Sequence, residues 1–135
     1  MSARDSLRRE AMDRAARARI RPEIMEQALL TQREGRPYVV ELEDAPGRSF
    51  YRPALEGGSR ILYLNIAHPF FTDVYAADAS TRGFRDAIEV FLWVLALAEL
   101  DGSDADRALY ERERYEWSRR LGDALPALAR IWGDL

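Results

Sequence analysis

Gly57-Gly58-Ser59-Arg60-Ile61-Leu62-Tyr63-Leu64-Asn65-Ile66-Ala67-His68-Pro69-Phe70-Phe71 holds a turn, a strand and a stop in one continuous stretch. Paired glycines open it, and Arg60 to Ile66 then alternates, with Ile61, Tyr63 and Asn65 on one side and Leu62, Leu64 and Ile66 on the other. Proline supplies no backbone N–H for a ladder, so His68-Pro69 ends the strand. Upstream, Tyr38-Val39-Val40-Glu41-Leu42-Glu43 is β-rich and partly alternating, which makes it a first strand. Asp44-Ala45-Pro46-Gly47 is strong turn chemistry, Ser49-Phe50-Tyr51 reads as a short second strand, and Glu56 to Ser59 is another turn. Three strands joined by turns predict an antiparallel meander.

Helical spacing surrounds this sheet. Ser2 to Arg19 carries a thin apolar stripe through Leu7, Ala11, Met12, Ala15 and Ala18, and Arg21-Pro22 breaks it. A second helix starts at Pro22 and presents Ile24, Met25, Ala28 and Leu29. After the third strand, Phe70 to Tyr75 predicts a short aromatic helix. Phe84 to Leu100 is a longer one whose run Val90 to Ala98 is apolar on every face. Such a helix is expected to be covered on all sides. Ser103 and Asp106 form a capping-box pattern for a last helix from about Asp104, which Pro126 is expected to kink or restart. Leu128, Ile131 and Trp132 make a final apolar patch. The expected fold is one α+β domain over residues 1–135. It has a helical segment at 1–35, a small three-stranded antiparallel sheet at 36–67, and a C-terminal helical pair packed on it at 68–135.

The chain has 135 residues, a net charge of -3, and no cysteine. Disulfides, thiolate metal sites and cysteine nucleophiles are therefore excluded. All twenty basic residues are arginine, so a Schiff-base or phosphate-loop lysine is excluded too. The N-terminus lacks the apolar stretch of a secretory signal, and no run is long enough to span a bilayer. A soluble, cytoplasmic protein without membrane contact is the expectation.

His68, the sole histidine, sits at a strand end beside Pro69 and two phenylalanines. It is a candidate base or metal ligand for a small hydrolase or metal enzyme, but no nucleophile or orienting partner is legible near it. Capping of the following turn accounts for it more simply. Asp101, Asp104 and Asp106 lack the glycine and terminal glutamate of a calcium loop. The first helix has a surplus of arginine, which makes Arg8, Arg9, Arg14 and Arg17 candidate weak contacts for nucleic acid. Aromatic residues dominate interaction hot spots, so His68, Phe70, Phe71, Tyr75, Phe91, Trp93 and Trp117 are the candidate interface.

From Gly57 to Tyr75 the chain resembles the C-terminal region of large bacterial ATP-binding proteins of the GHKL type, the group of gyrase, histidine kinases and MutL. A strand there ends in an Asn-x-x-His-Pro-Phe pattern before a helical pair. Glu116-Trp117-Ser118-Arg119-Arg120-Leu121 fits the same likeness, which spans roughly residues 36–121. The resemblance implies an accessory part of an ATPase-containing assembly in DNA maintenance or phage defence. It does not imply ATPase activity, because the family's Asp-x-Gly-x-Gly turn has no counterpart here. The combined expectation is a non-catalytic module without cofactor or metal that binds a protein partner or its own copy. A nucleic-acid-binding accessory subunit is the alternative.

Overall fold

The computed structural model describes residues 2–133, in the order α1 (Ala3–Ala18), α2 (Pro22–Arg33), β1 (Val39–Glu43), β2 (Tyr51–Glu56), β3 (Ser59–Asn65), α3 (Arg82–Leu100) and α4 (Asp104–Gly133). A wide π-type turn, Phe70–Tyr75, lies between β3 and α3. The α+β expectation holds.

Helix α1 starts where the Ser2 hydroxyl accepts the Asp5 N–H at 3.1 Å, satisfying a donor that the first helical turn cannot. Its thin stripe is enough for one partner. Leu7, Ala11 and Ala15 are buried four residues apart against Met25 and Leu29 of α2, forming a small satellite core. Arg19 ends α1 in the left-handed region at φ 59°, and Pro22 then opens α2.

The sheet corrects the predicted meander. Its strand order is β1-β3-β2, with β1 parallel to β3 and β2 antiparallel to it. Gly57 and Gly58, both at positive φ, make the tight β2–β3 hairpin. Residues 44–50 do not fold β1 back onto a neighbour. They arch over the end of β3, leaving between β1 and β2 a gap that β3 fills.

Asn65, the last residue of β3, holds that arch. Its Oδ1 accepts from the backbone N–H of Ala45 (3.1 Å) and Ala67 (3.0 Å). Its Nδ2 donates to the carbonyls of Ala45 (2.7 Å) and Ser49 (3.1 Å). A buried side-chain amide thus satisfies a loop that no ladder could. Strand β2 also starts later than expected, at Tyr51, and runs through Pro53. The position is on a sheet edge, where a missing N–H is tolerated.

One sheet face, with Tyr38, Val40, Tyr51, Leu62 and Leu64, packs on Leu92, Trp93 and Ala96 of α3 and on Phe71 and Tyr75 of the wide turn. Ala76 N–H donates to the Phe71 carbonyl at 2.7 Å, a five-residue step that fixes this turn as wider than an α-helix. Ser103 and Asp106 cap α4 reciprocally at 3.2 and 3.3 Å. That helix passes through Pro126 to Gly133 instead of restarting. The side chain of Trp132 lies outside the described residues. Among the described residues no helix is long and apolar enough to cross a membrane.

Candidate assembly face on helix α3

Thr81 caps α3 by accepting the Phe84 N–H at 3.1 Å. The helix then buries Arg85, Glu89, Leu92, Trp93, Ala96 and Glu99 along one side. Three of these six are charged, so the inner face is anchored by polar bonds as well as by apolar packing.

Glu89 is fully buried. Its carboxylate accepts from Gln27 Nε2 (2.6 Å), Tyr75 Oη (2.7 Å), Tyr38 Oη (3.0 Å) and an Arg36 guanidinium N–H (3.0 Å). Arg85 Nε donates to the Gln27 oxygen at 2.6 Å, so that amide is satisfied at both ends. Four segments, α2, the stretch leading into β1, the wide turn and α3, meet on one carboxylate. Burial raises the Glu89 pKa, and the four donors oppose that shift by stabilising the ionised form. Glu99 pairs with Arg114 of α4 at 3.0 Å in a second buried junction.

The same surroundings move the phenols. Burial first, and the Glu89 charge second, raise Tyr38 to about 12 and hold Tyr75 well above its ordinary 10; burial also raises Tyr51 to about 12. Above pH 10 the unfolded chain loses these protons while the folded chain keeps them, so stability falls as pH rises from 10 through 12. The expected loss is about 1.4 kcal/mol per pH unit above 10 for each of Tyr38 and Tyr51, with Tyr75 acting in the same direction, and thermal melts at pH 9, 10 and 11 would check it. A melting temperature unchanged across that series would contradict the geometry.

The outer face of α3 is different. Phe91 is 64% exposed, Val94 59%, Val90 52% and Phe84 43%, with Ala87 and Ala98 also open. No charge interrupts this set. Within the chain itself the run Val90–Ala98 is therefore covered on its inner side only. Phe84, Phe91 and Ala98 repeat every seven residues, as Ala87 and Val94 also do, so they form one stripe.

Of the candidate interface residues, only Phe91 is on this stripe. Trp93 is buried against Tyr38, with ring centroids 5.5 Å apart, and Phe71 and Tyr75 are core residues. Phe70 and Trp117 are half-buried against that core. His68 is also internal. Its Nδ1 accepts the Phe70 N–H at 3.0 Å, so the proton is on Nε2, which donates to the Ser118 carbonyl at 2.7 Å. Both ring nitrogens are occupied in clasping the turn to α4. These side chains build the chain's own interior instead of presenting a shaped contact.

The arginines of α1 are exposed, but Arg14 pairs with Glu10 at 2.8 Å and Arg8 lies 4.0 Å from Glu26. Arg9 and Arg17 stay open on the same helix. Sequence reasoning missed the Glu89 junction. Its signal was a glutamate and an arginine, Glu89 and Arg85, one turn apart at the start of an apolar helix. Comparison of the chain with family models, with curated proteins and with solved structures finds no match.

Proposed function

We propose that the chain is a non-catalytic assembly module whose α3 stripe pairs with the same stripe of a second copy. The observation that carries this reading is the uncharged exposed face from Phe84 to Ala98. The largest contiguous apolar patch on a protein surface often marks an interaction site.

Self-pairing suits the order of side chains on the stripe. Two-fold pairing sets residue i of one copy against residue j of the other and the reverse. With an antiparallel axis through Phe91, Phe84 meets the small Ala98 of the other copy, and Ala87 meets Leu95. The half-buried Ile88 and Leu95 border the stripe and would join the contact.

The resemblance to GHKL-type proteins would place such a module in an ATPase-containing assembly for DNA maintenance or phage defence. The residues carrying that likeness, Asn65 and His68 to Phe71, are largely spent on the chain's own packing, so α3 is the surface left to meet a partner. Light scattering across a concentration series tests the reading. A dimer is expected for the native chain, and Phe91→Asp, at an exposed position, should be a folded monomer with unchanged circular dichroism. A native chain of monomer mass at every concentration, or a Phe91→Asp variant that still dimerises, would sink it.

A further inference from the structure

The arch over β3 and helix α4 enclose two adjoining hollows of about 490 and 340 Å³ at the carboxyl end of the parallel pair β1 and β3. Gly47, Arg48 and Tyr115 line both, so the two are halves of one groove. Strand carboxyl ends are where sheets with parallel strands commonly hold ligands. The groove is preformed, because Asn65 fixes the arch through four bonds to the backbone of Ala45, Arg48 and Ser49.

Its charges are unevenly matched. Arg52, Arg114 and Arg119 each have a carboxylate, on Glu43, Glu99 and Glu116 at 3.1, 3.0 and 2.9 Å. Arg48, at the junction of the halves, is exposed and has neither ion pair nor side-chain hydrogen bond among the described residues. Tyr115, 55% exposed, lines the groove from the α4 side. Glu111 lines only the first half and Asp123 only the second, and both are exposed acids without an ion pair among the described residues. They lie twelve residues apart on α4, about 18 Å along the helix, a distance that five or six extended residues cover.

We infer that this groove binds an extended peptide segment carrying an acidic residue between two basic ones. The central carboxylate meets the Arg48 guanidinium, whose planar fork suits bidentate contact, with the Tyr115 hydroxyl as a second donor. The flanking bases meet Glu111 and Asp123. A phosphate dianion fits less well, since the two acids bracket the single unmatched arginine.

The test titrates the full-length, isotope-labelled chain with the capped pentapeptide acetyl-Arg-Ala-Asp-Ala-Arg-amide. Saturable amide shifts at Gly47, Arg48 and Tyr115 are expected. Arg48→Ala, which removes no ion pair or side-chain hydrogen bond among the described residues, should leave the rest of the spectrum in place and weaken binding at least tenfold. Replacing the peptide's Asp with Asn should do the same. The Phe91→Asp variant should bind the peptide as the native chain does, which separates this site from self-pairing. Absent or unsaturable shifts, shifts that map elsewhere, or equal binding of the Asn peptide would each overturn the inference.

Discussion

Glu89→Ala is expected to lower the unfolding free energy by about 3–5 kcal/mol, much or all of the stability of an ordinary domain. The cost does not come from lost charge alone. Removing the carboxylate leaves the hydroxyls of Tyr38 and Tyr75 without an acceptor, while the Gln27 amide and Nη1 of the Arg36 guanidinium fall back on Asp86, each at 3.2 Å. Each unsatisfied donor costs about 1–3 kcal/mol, and water can relieve only part of this. Glu89→Gln should fall between the two, since its amide oxygen still accepts while its NH2 confronts a donor. Urea unfolding of the three proteins gives the ranking. A Glu89→Ala midpoint within error of the native value would mean that the four segments are held together by apolar packing alone.

That junction also explains which part of the fold the sequence discloses. Local signals sufficed for the helices, for the Gly57-Gly58 hairpin and for the Ser103–Asp106 cap, because each is decided within a few residues. The β1–β3 pairing was not legible. It depends on Asn65 reaching back twenty residues to Ala45, and a loop of 44–50 chemistry serves equally well as a hairpin turn or as an arch.

Composition misled in a similar way at α3. An apolar run suggests burial on every side, yet Glu89 and Glu99 occupy the inner face while Phe91 and Val94 face water. Arg36, Tyr38 and Gln27 are unremarkable one at a time, and only the tertiary fold brings them to a common acceptor. The groove residues were hidden for the same reason: Arg48 and Tyr115 are 67 positions apart in the chain.

Arg114→Ala is the second change with a large expected effect, and it acts on α4. Helix α4 is fastened by a narrow polar seam. Arg114 meets Glu99 in a buried pair at 3.0 Å, and Ser118 Oγ accepts the Phe50 N–H at 2.9 Å while donating to the Arg114 carbonyl at 2.7 Å. His68 adds the bond to the Ser118 carbonyl. Truncating Arg114 leaves the Glu99 carboxylate buried without its partner, which costs about 3–5 kcal/mol by analogy with other broken internal pairs. Because the seam is local, the loss should appear first as faster amide exchange along α4, with β3 amides protected until global unfolding. Removing both charges together, as Arg114→Met with Glu99→Leu, should recover most of the stability, since an apolar pair of similar volume leaves no charge unmatched. If the single variant exchanges like the native chain, α4 is held by Trp117 and Leu121, and the ion pair only sets its register. If the double variant is as unstable as the single one, the Arg114 bond to the Tyr51 carbonyl, longer at 3.4 Å, carries more of the attachment than its length suggests.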